Sequence, residues 1–399
     1  MNREKLDKFF VLFSLYIAQS VPMSFFSTVV PVIMRQEHYS LQSIGLLQLI
    51  KLPWIFKFLW APLIDRNAGD LRQYRKWIFG SEIFYAAVIV AIGLLNLQFD
   101  FKLIIVLMII AFIASATQDI ATDAYAILIM KKEERSFGNS MQSSGSFIGT
   151  LAGSGLLLIV YHYFGWQMLL FCLALFALVA LIPLLHYKKR EPVVEKKGSI
   201  IQMKDLYLFF ATPGMTKRVF LLLFYYSGII GILAMLKPYL VDLGYSVKEI
   251  GFMSGIVGTS VAALSALLAS FLINKLGRRN SLIGFSFLSI IATFYFWMIS
   301  LGTPGTPLIY LGIILIWGTY GLLTVAIYTT SMDHVRHGRE GTDFTIQIVI
   351  THLSSLIIAV ASGKIADSIS YSGLFLVEAI LSVATFVALF FLYRKKSLL

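Results

Sequence analysis

Long apolar runs dominate the chain, broken by short clusters of charge, glycine or proline. They fall at about 9–33, 43–64, 77–97, 103–129, 139–160 and 166–187, then at 217–241, 248–273, 281–300, 307–331, 343–366 and 371–393. Each is long enough to cross a bilayer as a helix, which takes about 20 apolar residues. Most intervening stretches are short. The exception is 188–216, which opens Lys188-Lys189-Arg190-Glu191-Pro192 and reads as the one linker. The pattern predicts an all-α polytopic membrane protein of twelve transmembrane helices. They form a six-helix bundle over 1–187, a cytoplasmic linker over 188–216 and a second six-helix bundle over 217–399.

Composition narrows the class. The chain has 399 residues, 58% of them hydrophobic and 14% charged, with a mean hydropathy of +0.80. A soluble domain carries about 25% charged residues, so a soluble enzyme or a disordered chain is excluded. The single cysteine, Cys172, rules out an intrachain disulfide and any cysteine metal cluster. The formal charge of +12 would suit nucleic acid if it were gathered on one module, but it is not. With the N-terminus inside, 26 of the 33 basic residues fall in inside segments and only Arg35, Lys102 and Lys248 outside. The other four, Lys51, Lys57, Lys237 and Lys364, lie within spans. That asymmetry is a positive-inside signal. It predicts an inner (cytoplasmic) membrane protein with both termini in the cytoplasm and no nucleic-acid partner. The basic start, Arg3 to Lys8, resembles a secretory signal, but apolar sequence runs on past Ala18 to Ile33, so a retained first span is expected.

The two halves echo each other. Tyr39-Ser40-Leu41-Gln42-Ser43-Ile44-Gly45 enters the second span and Tyr245-Ser246-Val247-Lys248-Glu249-Ile250-Gly251 enters the eighth. The second leaves through Ala61-x-x-x-Asp65-Arg66, the eighth through Ser270-x-x-x-Asn274-Lys275-Leu276-Gly277-Arg278-Arg279. Parallel repeats of this kind suggest two bundles around a central site. The loop pattern resembles the hallmark loop of the major facilitator superfamily. The N-terminal copy keeps Asp65 and Arg66 and lacks the Gly-Arg-Arg end. The resemblance implies the major facilitator fold, with Asp65, Arg66, Asn274, Lys275, Arg278 and Arg279 holding an inner gate.

A narrower likeness follows. Lys57-Phe58-Leu59-Trp60-Ala61-Pro62-Leu63-Ile64-Asp65-Arg66 and Gln118-Asp119-Ile120-Ala121-Thr122-Asp123-Ala124-Tyr125 resemble the muropeptide permease and acetyl-CoA transporter group. Tyr16-Ile17-Ala18-Gln19-Ser20-Val21-Pro22-Met23-Ser24-Phe25-Phe26 and Gly341-Thr342-Asp343-Phe344-Thr345-Ile346-Gln347 look closest to siderophore permeases of the rhizobactin and pyochelin type. The resemblance implies proton-coupled import of a small-molecule substrate by a monomer in the lipid bilayer. A ferric siderophore ranks first, an anhydromuropeptide second and an acetyl-CoA-like solute third. No Arg is expected within a span to fork onto phosphates.

Asp119 and Asp123 are the sharpest chemical feature. Their i,i+4 spacing sets both carboxylates on one helical face, and Asp119 lies about 4–5 Å from the middle of its span at 1.5 Å per residue. A carboxylate at that depth faces a bundle interior or a water-filled cavity. Two held close in a low dielectric resist being charged together, as a proton carrier requires. The alternative is a structural ion pair. Lys57 and Asp123 lie at matching depths, eight residues before Asp65 and Lys131 respectively, so a Lys57–Asp123 pair is expected. Lys51, nearer mid-span, lacks an obvious partner and would meet an anionic group of the substrate, unless it snorkels. Gln19, Gln118, Gln142, Gln347 and His352 are further candidates to line the cavity, with Pro22 as a kink. Lys237 reads as snorkelling and Glu378 as packing.

Catalysis finds little footing. Asp-x-x-x-Asp resembles a Mg²⁺-diphosphate site, but no second acidic motif accompanies it. His-Glu-x-x-His, Gly-x-Ser-x-Gly and Gly-x-x-x-x-Gly-Lys are absent. The expectation is a non-enzyme with no cofactor and no metal site. Without a P-loop it draws on the proton gradient and needs no ATPase subunit.

Overall fold

The computed structural model describes residues 3–36, 48–68, 70–96, 99–187 and 202–393, and these contain helices and no strands. They divide into two compact units. The first is Met1–Tyr207 with His334–Ile346, the second Leu208–Asp333 with Gln347–Leu399.

Unit 1 begins with α1 (Arg3–Ser24), which contains Pro22 and passes into a π-turn, Phe25–Val29. Proline removes a backbone donor, and a widened turn is one way for a helix to absorb that loss. The second expected span, 43–64, is discontinuous where it is described; residues 43–47 lie outside the described residues. A short helix, α2 (Leu52–Phe56), a 3₁₀ turn at Lys57–Leu59 and α3 (Ala61–Asn67) follow one another. Pro53 and Pro62 occupy the first turns of α2 and α3, where proline suits a helix start and opposes continuation from before it.

Next come α4 (Leu71–Gly93), capped by Asp70, which accepts from the Gln73 amide at 2.8 Å, and α5 (Phe101–Ile129). α6 (Arg135–Leu151) leads through a π-turn, Ala152–Leu156, into α7 (Leu157–Val179). α7 breaks at Gly165, whose φ of 73° separates the fifth span from the sixth. α6 lies close against α1. A Cβ on Gly149 would stand 2.8 Å from Ser20 Cβ, and one on Gly153 would stand 2.3 Å from the Val21 carbonyl. With Gly145 they form a small-residue stripe at four-residue intervals, the arrangement that brings membrane helices into backbone contact.

The expected linker carries a helix of its own, α8 (Lys204–Ala211), within which the boundary between units falls. Residues 188–201 lie outside the described residues. Unit 2 continues with α9 (Met215–Phe224), α10 (Ser227–Asp242), α11 (Thr259–Leu276), α12 (Arg278–Ser300), α13 (Thr306–Asp333) and α14 (Glu340–Leu392). α14 runs 53 residues but breaks at Ile369 and Ser370, the latter at φ 67°, and so carries the last two expected spans. Among the described residues nine helical segments are long and apolar enough to cross a membrane. That number is consistent with twelve once the broken second span, the small-residue α6 and the double-length α14 are recognised. Residues 334–346 group with unit 1, so the division is not the simple halving of the sequence.

Large apolar side chains face outward all along the helices, among them Phe164, Leu175, Leu264, Phe271 and Ile357. In water such a surface would be a liability; in lipid it is the expected exterior.

Candidate functional site

The polar interior of unit 1 gathers where α1, α5 and the broken second span meet. Lys57, 1% exposed, forms an ion pair with Asp119 and stands 4.8 Å from the Trp54 ring centre. Asp123, one turn further along α5, accepts from the Tyr16 hydroxyl of α1. Gln19, one turn beyond Tyr16, donates to Gln118. Six buried polar side chains thus form three cross-helix pairs in one stratum of the unit.

The pairing differs from the expected Lys57–Asp123 bridge. Depth counted from Asp65 assumed a continuous α-helix, but Lys57 opens a 3₁₀ turn, which rises about 2.0 Å per residue against about 1.5 Å. With the following break at Trp60, this sets Lys57 beside the deeper carboxylate. The two carboxylates therefore have unlike surroundings: Asp119 has a cation, and Asp123 a neutral phenol.

Lys51 ends the 3₁₀ turn Gln48–Lys51, half-buried, and pairs with no carboxylate among the described residues. Gln142 on α6 is buried, and neither amide atom has a hydrogen-bond partner among the described residues. Two carboxylates had different prominence in the sequence. Glu378 is buried and accepts from Ser362 at 2.9 Å. Glu82 on α4 went unremarked, though it is fully buried and neither carboxyl oxygen has a hydrogen-bond partner among the described residues. Its signal was available: one carboxylate inside the third apolar run.

Asp65 is enclosed at the end of α3. It accepts from the Tyr74 hydroxyl at 2.6 Å, the Gly341 amide at 3.1 Å, and the Thr342 amide and hydroxyl at 2.6 Å each. Gly341 is required there, because a Cβ would stand 2.5 Å from Asp65 Oδ1. Arg66 is exposed. In unit 2, Arg278 pairs with Asp333 at 3.0 Å and Arg279 donates to the Tyr393 carbonyl, while Asn274 and Lys275 are exposed.

One further expectation is corrected in unit 2. An arginine does lie inside: Arg218 of α9 is 2% exposed and donates to Gln347, Thr330, Ser331 and the Ile327 carbonyl. Hydropathy left it at the edge of the linker, and only packing of α9 against α13 and α14 buries it. Gln347 is accordingly held by Arg218 at 2.9 Å and by the Ser331 carbonyl at 3.0 Å. His352, a candidate to line the cavity, is exposed.

Comparison with known proteins gives these features a family. A model of the Major Facilitator Superfamily matches residues 9–347 and 219–398. The anhydromuropeptide permease of Escherichia coli (strain K12) is 24% identical over 296 residues, covering 73% of this chain and 60% of the relative; the chain thus matches less than two thirds of that protein's length. A putative transporter, AmpG 3, of Rickettsia prowazekii (strain Madrid E) is 26% identical over 393 residues, covering 92% of this chain and 91% of the relative. Two solved structures share the fold. A bacterial homologue of the iron transporter ferroportin in the outward-facing state has a TM-score of 0.72 at 17% identity, covering 99% of this chain and 100% of the other. The human organic anion transporter MFSD10 (TETRAN) has 0.76 at 14% identity, covering 98% and 100%. With helical repeats, lipid-facing exteriors and a buried charged interior, the chain belongs to the major facilitator superfamily of multi-pass membrane transporters.

Proposed function

We propose that the chain is a proton-coupled secondary transporter of the cytoplasmic membrane that imports an anionic peptidoglycan fragment of the anhydromuropeptide kind. The observation carrying this reading is the buried Lys57–Asp119 pair with Asp123 beside it on a phenol. The substrate class leans on the likeness to the anhydromuropeptide permease of E. coli. The siderophore ranking finds no support in the relatives described above. Asp123 is the carboxylate that takes and releases the coupling proton, and Asp119 holds Lys57 when no substrate is present. Lys51 and Gln142 are the groups left open to an anionic, hydrogen-bonding solute. Asp65 and its partners at Gly341 and Thr342 act as the inner gate.

One proton moving down 100 mV supplies about 2.3 kcal/mol, roughly fifty-fold accumulation at about 1.4 kcal/mol per decade. The test is uptake into proteoliposomes under an imposed proton gradient, with an anhydromuropeptide in one arm and a ferric siderophore in the other. Accumulation of the muropeptide that collapses with a protonophore is the expected result. Accumulation of the siderophore alone would transfer the substrate assignment, and uptake indifferent to the protonophore would remove proton coupling.

A further inference from the structure

A groove of about 580 Å³ runs down the outer side of α4 and α5 in unit 1. Its polarity is graded. Asn67, Gln73 and Lys76 stand at one end, whereas Phe84, Ile110 and Ile113 form the body. Gln73, Lys76, Gly80 and Phe84 follow one face of α4 for about 16 Å at 1.5 Å per residue. No carboxylate lines the groove, and Lys76 is exposed without an ion-pair partner among the described residues.

The two hydroxyls in the wall are already engaged within the protein. Ser81 donates to the Trp77 carbonyl at 2.5 Å, and Thr117 donates to the Ile113 carbonyl at 2.8 Å while accepting from the Trp60 indole at 3.1 Å. Gly80 is the telling residue. Glycine inside a helix costs about 0.5–1 kcal/mol relative to alanine, and packing does not require it here, since a Cβ would meet nothing within 4 Å. What its missing side chain does is keep the floor of the groove open.

We propose that this groove is a binding site for an anionic phospholipid, with an acyl chain along Gly80, Phe84 and Ile113 and the phosphate at Lys76. An apolar trough ending in an unpaired cation is complementary to an amphiphile with a negative head. A lysine near an anionic headgroup is worth about 1 kcal/mol, or about fivefold in affinity. The site is independent of the transport reading and of which way the chain faces.

The test is native mass spectrometry of the full-length protein in detergent, titrated with dioleoylphosphatidylglycerol or dioleoylphosphatidylcholine. The parent should retain the phosphatidylglycerol about fivefold better. Lys76→Gln should bring the two lipids level, and Gly80→Leu, which fills the trough, should lower retention of both. Should Gly80→Leu fail to fold, Ile113→Trp fills the same space from α5. Equal retention of the two lipids by the parent, or unchanged phosphatidylglycerol binding in both filled variants, would overturn the proposal.

Discussion

At the scale of single residues, the buried Lys57–Asp119 pair decides between coupling and scaffolding. Removing one partner of a buried pair leaves an uncompensated charge and costs about 3–5 kcal/mol, whereas replacing both with apolar groups is often neutral. Asp119→Asn should therefore lower the melting temperature and abolish uphill uptake. The double variant Lys57→Met/Asp119→Leu should recover the melting temperature without recovering uptake; recovery of both would make the pair purely structural. Asp123→Asn should keep substrate exchange across equal gradients while losing accumulation, and normal accumulation at every pH would refute its role as proton carrier. Glu82 gives the contrasting case. Its carboxyl oxygens have no hydrogen-bond partner among the described residues, so Glu82→Gln should leave the melting temperature unchanged or raise it, and a fall of several degrees would reveal a partner. The two aspartates were legible in sequence because i,i+4 carboxylates in an apolar run are conspicuous. Their partners were not, since Tyr16 lies 107 residues from Asp123 and only packing brings them together.

At the scale of elements, two contacts set how helices meet. The glycine stripe of α6 lets α1 approach to backbone distance, so Gly149→Leu should drive the helices apart and lower stability by more than the about 1–3 kcal/mol typical of overpacking. Asp65 acts as a cap from outside the helix it caps. It takes the Gly341 and Thr342 amides at the start of α14, two of the donors that a helix N-terminus leaves unpaired, and its negative charge also suits that end of the helix dipole. Asp65→Ala should speed hydrogen exchange at those two amides, with Asp65→Asn intermediate. Unchanged exchange would mean that water replaces the carboxylate without cost. The sequence marked Asp65 through the loop pattern, but nothing in that pattern pointed to Thr342, 277 residues away.

At the scale of the whole molecule, residues 334–346 are held in unit 1 by ion pairs as well as by Asp65. Asp205 of α8 receives Arg339 at 2.6 Å and lies 3.9 Å from Arg336, which also forks onto Asp343. Burial pushes the Asp205 carboxyl up, but the Gln202 amide, Arg339 and Arg336 outweigh it and hold it below the usual carboxylate range. A lowered native value means stability that is fully present at neutral pH and lost as pH falls from about 4 down through the lowered native value. Thermal melting from pH 6 down to 2 should fall more steeply in the parent than in Asp205→Asn, most of the difference appearing below about pH 4; parallel curves would deny the network a part in stability. Hydropathy and charge alone determined that this chain lives in lipid, how many spans to expect and that Asp119 and Asp123 share one helical face, because apolar length, charge placement and residue spacing are properties of composition along the chain. Tertiary structure alone decided that Lys57 takes Asp119, that Arg218 is interior, and that residues 334–346 leave their own half of the sequence. Those outcomes depend on helix breaks and on partners from 62 to 277 residues away, and side-chain pairing in a low-dielectric interior is settled by proximity in space.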